Sequence, residues 1–183
     1  ALVGSGLPLA TEAIARMHRA PLLLAGGDVA GFEADVERAS RLAERVQLPE
    51  IRAQSTTQRA GLAMLRGDHA EARRLIEESH AVMSGTSIWG AEWVRFVQLA
   101  TLGRLEGGLA ALVDPVVDKA SEDAYRPLRW TALLLLVETG RHQEARAMQA
   151  RWGLRTLGSG LHWASAFEWA QAAEVALALG APD

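Results

Sequence analysis

The chain has 183 residues, 49% of them hydrophobic, which is enough for a substantial core and sets a prior of one domain over 1–183. Its net charge of −3 argues against a nucleic-acid surface, and the lack of any cysteine excludes disulfides and thiolate metal sites. No signal peptide is visible, and the apolar run Leu133–Val137 is far short of the roughly 20 residues of a membrane span, so a cytoplasmic location is expected.

Apolar residues recur at helical spacing along the whole length, and no period-two strand stands out. In chain order the pattern predicts nine helices, near 8–25, 28–47, 50–66, 68–83, 87–102, 105–120, 124–139, 141–156 and 161–179. Phe32, Val36, Ala39, Ala43 and Val46 form one stripe on the second helix, and Trp89, Trp93, Phe96, Val97 and Ala100 form another on the fifth. Residues Ala132 to Val137 are apolar on every side, the mark of a fully buried helix. Pro21 and Pro115 fall inside predicted helices and should kink or split them. The best hinge candidate is the loop at Ser121, Glu122 and Asp123.

The chain repeats itself. Gly67-Asp68-His69-Ala70-Glu71-Ala72-Arg73 and Gly140-Arg141-His142-Gln143-Glu144-Ala145-Arg146 agree at five of seven positions. Weaker copies start at Gly27 and Gly103, and Gly180 reads as the opening of a fifth, which gives spacings of 40, 36, 37 and 40 residues. Such a period fits a helix-turn-helix unit. Glycine ends the first helix in a left-handed conformation, Asp28 or Asp68 caps the second, and an alanine five residues on allows close helix approach. The expected fold is all-α, a right-handed superhelical array of antiparallel helix pairs, a tetratricopeptide-like solenoid of about nine helices.

Three stretches resemble the tetratricopeptide-like regions of large bacterial transcriptional regulators, of the LuxR-type and STAND ATPase or antibiotic-regulatory activator class. They are Phe32 to Ala39, Gly61 to Asp68, and Trp130 to Arg141. The resemblance implies a sensor or partner-docking arm within a longer regulator. The chain has no Gly-x-x-x-x-Gly-Lys-Ser/Thr phosphate loop and no basic recognition helix, so ATP and DNA chemistry would belong to other parts of such a protein.

Catalytic and cofactor patterns are missing. His18, His69, His80, His142 and His162 include no pair four apart on a helix flanking a glutamate, so no zinc-protease site is expected. His69 and His142 hold equivalent positions just after a turn, which suits a solvated or capping role. Glu77 and Glu78 are neighbours on a helix and diverge. Ser84 and Ser87 lack a nucleophile elbow.

Six tryptophans are more informative. Trp130 lies ten residues before Gly140, Trp93 ten before Gly103, and Thr57 ten before Gly67. If first helices line a groove, Thr57, Trp93 and Trp130 share its wall, with Trp89 and Arg126 one turn away from the tryptophans. The plainer alternative is that the tryptophans seal the core. The expected function is a protein- or ligand-binding domain, with a peptide segment or small-molecule inducer as partner and no direct nucleic-acid or membrane contact. A stand-alone adaptor is the second reading, and an all-α enzyme the third. The apolar last helix further suggests a homodimer.

Overall fold

The structure, a computed structural model, describes residues 8–86, 90–154 and 165–180. It is all-helical, with no strand among the described residues. The helices are α1 (Leu9–Ala25), α2 (Val29–Arg45), α3 (Pro49–Leu65), α4 (His69–Ser84), α5 (Ala91–Glu106), α6 (Ala110–Ser121), α7 (Leu128–Glu138), α8 (His142–Trp152) and α9 (Ser165–Leu179). A single 3-10 turn, Asp123–Tyr125, precedes α7. The chain forms two compact units, residues 1–95 and 96–183, with the boundary inside α5. Ser121, Glu122 and Asp123, the expected hinge, lie within the second unit.

Neighbouring helices pack in pairs, as a helical array requires: α1 on α2 and α3 on α4 in the first unit, with α2 also against α3. One turn type recurs. Gly27, Gly67, Gly107 and Gly140 all have φ between +75° and +83°, the left-handed region that glycine enters at little cost. The residue after each donates its backbone N–H five residues back, Asp28 to Leu23 at 2.9 Å, Asp68 to Ala63 at 2.9 Å, Gly108 to Gly103 at 2.9 Å and Arg141 to Leu136 at 2.7 Å. This bond satisfies a carbonyl that the helix end would leave unpaired. The carboxylates of Asp28 and Asp68 then accept N–H bonds from Gly31 and Glu71 at 2.8 and 3.2 Å, capping α2 and α4.

The turn geometry corrects the repeat register. Gly103 is not a turn residue but lies inside α5, where an added Cβ would sit 3.1 Å from Leu109 Cδ2 and 3.2 Å from Leu112 Cδ1. Gly103 is therefore a contact residue, and the turn falls at Gly107. The first four turns are 40, 40 and 33 residues apart. Pro21 and Pro115 both fall inside continuous helices, so neither splits its helix.

In the first unit the core is built from Ala13, Met17 and Ala20 of α1, Phe32, Val36, Ala39 and Leu42 of α2, and Ile51 and Leu62 of α3. Ala13, Ala20 and Ala39 alternate with the larger Met17, Phe32, Val36 and Leu42 in this core. In the second unit α7 is central, packing against α6, α8 and α9. Every residue from Thr131 to Val137 is buried, as the all-round apolar pattern predicts.

A charge cluster is built into the α1–α2 contact. Asp35 is 1% exposed, and its carboxylate accepts from Arg16 Nη1 at 2.7 Å and Arg19 Nε at 2.6 Å. Glu12 shares Arg16, at 2.9 Å, and reaches Arg38 at 3.4 Å. Burial alone would raise the Asp35 pKa, but hydrogen bonds and charge from Arg19 and Arg16 more than offset it, so the group stays below its ordinary value. The Arg16 hydrogen bond likewise lowers Glu12, against the opposing effect of burial. A lowered folded-state pKa means that stability is present above the unfolded carboxylate range and is lost as pH falls through the folded value. Removing the Asp35 carboxylate leaves Arg16 with Glu12 alone and deprives Arg19, 44% exposed, of its buried counter-ion. Asp35→Ala is expected to cost about 1–3 kcal/mol in urea unfolding at neutral pH. The cost should shrink as pH falls below the ordinary carboxylate range, where the unfolded chain takes up the proton first and the folded carboxylate, held lower, follows.

Candidate functional site

α1 and α3 are the first helices of successive pairs, and a trough of about 520 Å³ opens between them. Pro21, Leu24 and Ala25 of α1 form one wall, and Gln58, Gly61 and Leu65 of α3 form the other. Phe32 of α2, itself buried, closes the floor. None of these residues is ionisable. Leu65 is 73% exposed, and Leu22, beside Pro21, is comparably open, so apolar surface extends out of the trough.

Measured back from the turns at Gly27 and Gly67, Pro21 and Gly61 hold the same place, six residues before. Both are the residues a helix interior tolerates least. Each helix accommodates its own in a different way. Pro21 has no N–H, so the Met17 carbonyl, four residues earlier, loses its ordinary helical donor. Gln58 of α3 supplies the replacement, donating Nε2–H to Met17 O at 3.0 Å. The carbonyl that Pro21 leaves without a helical donor is thus satisfied by a side chain of another helix. Gly61 has no such compensation. A Cβ built there meets nothing within 4 Å among the described residues.

The positions expected to line a groove are placed as follows. Thr57 is half-buried and turned toward α4, its hydroxyl 2.7 Å from that of Ser79. Trp93 is 6% exposed, in the part of α5 that falls in the first unit. Trp130 is half-buried and Arg126 exposed, both in the second unit, with Arg126 3.4 Å from Asp123. Trp89 lies outside the described residues. With the turn at Gly107, Trp93 is fourteen residues before its turn and Trp130 ten, so the two are not repeat-equivalent. Residues nine, six and two before the turn face the trough on α3, whereas the tenth, Thr57, faces its partner helix. One residue is about 100° of helix rotation, which carries a side chain from one face to the next. The trough residues had a sequence signal: a proline and a glycine at matching positions in two helices.

A second cleft of about 540 Å³ lies over α3, between α2 and α4. Its rim is charged, but Arg66 pairs with Glu33 at 2.9 Å and Arg41 is bonded to Glu37. These charges are largely spent on one another.

One set of side chains imitates a catalytic triad. His80 Nε2 is 2.7 Å from Glu92 Oε1 and 3.2 Å from Ser84 Oγ. A triad needs the acid on one ring nitrogen and the nucleophile on the other. Here Ser84 Oγ stands between the two ring nitrogens, 3.2 Å from Nε2 and 3.4 Å from Nδ1, and Ser84 is exposed at the end of α4. The arrangement ties α4 to the start of α5. His142 Nε2 lies 3.1 Å from the Val137 carbonyl, at the end of α7, a capping position. Among the described residues no group of three acidic or histidine side chains is placed to hold a metal ion. No described helix is long and apolar enough to cross a membrane.

These features define a class, an all-helical array of helix pairs with an uncharged trough between two first helices. No protein-family model, curated protein or solved structure matches the chain.

The Pro21–Gln58 relation is measurable. Gln58→Leu should destabilise the protein by about 1–3 kcal/mol, because the Met17 carbonyl loses its replacement donor. In a Pro21→Ala background the helix regains its own N–H, and the same Gln58 substitution should cost less than half as much. A double-mutant cycle by chemical denaturation reads this coupling. Equal costs in both backgrounds would show that Gln58 acts elsewhere.

Proposed function

We propose that this chain is a helical-repeat interaction domain whose α1–α3 trough takes a short, uncharged, apolar segment of a partner protein. The observation that carries the reading is Gly61. A glycine in a helix interior costs roughly 0.5–1 kcal/mol relative to alanine. No described neighbour within the molecule requires it, since the space where its Cβ would stand is open. Gly103 and Gly31 differ in this respect, because a Cβ at either would meet a side chain of the chain itself. A glycine kept bare beside an apolar trough allows a second backbone to come close. The absence of ionisable groups along the walls selects against charged occupants, which would be desolvated without a counter-ion.

The wider setting, proposed from the turn sequences' resemblance, is the sensor or docking arm of a bacterial transcriptional regulator. A phosphate loop or a DNA-binding helix-turn-helix encoded in the same gene would support that setting. A gene encoding the repeats alone would favour an adaptor.

Selection from a phage-displayed library of random 12-residue peptides tests the trough. The enriched peptides should be rich in apolar residues and poor in charge. Gly61→Trp, which fills the open space, should abolish their binding by isothermal titration calorimetry. Gly61→Ala, whose methyl group stands where the partner's backbone would come close, should weaken binding about tenfold or more while raising stability by about 0.5–1 kcal/mol. Peptides that bind Gly61→Trp as well as wild type would refute the trough as the site.

A further inference from the structure

One cation of the cleft between α2 and α4 is left over when the others are paired. Arg66 is bonded to Glu33 and Arg41 to Glu37. Arg74 takes both oxygens of Glu71 at 2.7 Å, and Asp68 caps α4. Arg59 of α3 also lines this cleft. Its guanidinium feels the charge of Glu71 but makes no hydrogen bond or ion pair among the described residues.

The helix register shows what is missing opposite Arg59. α2 leads into α3 through a short turn, and the Arg66–Glu33 pair joins the far end of α3 to the start of α2, so the two run antiparallel. Two helical turns inward, seven residues back along α3 and seven forward along α2, stand Arg59 and Ser40. Both line the cleft. A repeat of the Arg66–Glu33 pairing would need an acid at position 40, and the chain supplies a hydroxyl. Ser40 is half-buried, and that hydroxyl has no hydrogen bond among the described residues. Ser55, Thr101 and Ser121 differ, since each bonds the carbonyl four residues back in its helix.

We propose that this cleft binds a small apolar monocarboxylic acid, whose carboxylate takes Arg59 as its counter-ion and accepts the Ser40 hydroxyl hydrogen. A guanidinium holds a carboxylate through two parallel N–H bonds, each stronger than a bond between neutral groups. Phe32, Leu62 and Leu75 beneath the rim suit an apolar body. Glu33, Glu37 and Glu71 around it disfavour a second negative charge. The volume of about 540 Å³ is that of a small-molecule site. Phe32 also floors the trough, but Arg59 and Ser40 lie outside it, so the site stands independently of the peptide reading.

The probe is 3-phenylpropanoate, titrated into the ¹⁵N-labelled chain and followed by amide chemical shifts. It should bind with a dissociation constant of roughly 0.1–5 mM and move resonances of α2, α3 and α4. The neutral 3-phenylpropanamide, which lacks the charge, and acetate, which lacks the body, should each bind at least tenfold more weakly. Arg59 is exposed, so Arg59→Gln should keep the helical circular dichroism and weaken binding at least tenfold. Ser40→Glu supplies the carboxylate from the chain itself and should weaken binding as much. Arg45→Gln removes an exposed guanidinium at the end of α2, outside the cleft, and should leave binding unchanged. The proposal is overturned if the amide binds as well as the acid, or if either Arg59→Gln or Ser40→Glu binds like the wild type. It is also overturned if no saturation is seen below about 50 mM, ten times the weakest affinity expected. An acetylated Leu-Leu-Phe tripeptide with a free carboxylate separates the sources. Binding at least tenfold tighter than 3-phenylpropanoate would make the occupant a protein chain end and overturn the small-molecule assignment.

Discussion

The helix pairs of this protein depend on one backbone constraint, the reversal at a left-handed glycine with an N–H bonded five residues back. At Gly27, Gly67, Gly107 and Gly140 the same bond closes the first helix and launches the second. The turn fixes how far the chain travels between helices, and so fixes which side chains can meet. Ala72 and Ala145, each five residues after a turn glycine, are fully buried because the second helix re-enters close to the first. A larger side chain there would push the pair apart. The apolar stripes along α1 to α4 are the consequence of that placement as much as its cause.

The constraint was readable where it left a chemical trace and ambiguous where two glycines competed. Gly67 and Gly140 sit in near-duplicate heptapeptides, and Gly27 is followed by a capping aspartate. Around the third turn, Gly103, Gly107 and Gly108 all offer a glycine. Gly103 and Gly107 are four residues apart, about one helical turn, so hydrophobic periodicity is nearly the same for either. The left-handed φ of Gly107 and the Gly108 N–H to Gly103 carbonyl bond separate them. The consequence for the site was larger than for the fold. Helix existence survives a four-residue slip, but the proposed equivalence of Trp93 and Trp130 does not. The tenth residue before a turn also proved to face the partner helix at Thr57, one position away from the trough-facing Gln58.

Pro21 shows another limit of local reading. A proline in a helix interior removes a donor, and from the sequence alone the helix should kink or split. The repair comes from Gln58, 37 residues along the chain, and nothing near Pro21 announces it. The Asp35 cluster has the same character. Asp35 lies among apolar positions of α2, and only the α1–α2 packing brings Arg16 and Arg19 onto it. Long-range polar contacts of this kind make the pairing specific. Small apolar residues alone would allow α1 to slide along α2, whereas a buried carboxylate is satisfied in one register.

The two helix-averse residues finally bear on why the trough exists. Pro21 and Gly61 each weaken the helix that carries them, at matching repeat positions, on the two walls of one trough. If the site served only stability, alanine at both positions would be better. Pro21→Ala would restore an N–H to the Met17 carbonyl, and Gly61→Ala would raise helix propensity with no clash. Gln58 would then be released from its structural duty. The arrangement instead keeps a flat, uncharged surface with a bare backbone on one side and a rigid ring on the other. A partner's backbone could approach the Gly61 wall more closely than any side chain would allow, while the proline ring presents apolar area with little conformational entropy left to lose. Local instability held in place by a long-range hydrogen bond, and yielding no internal packing at Gly61, is what a surface shaped for an outside partner would show.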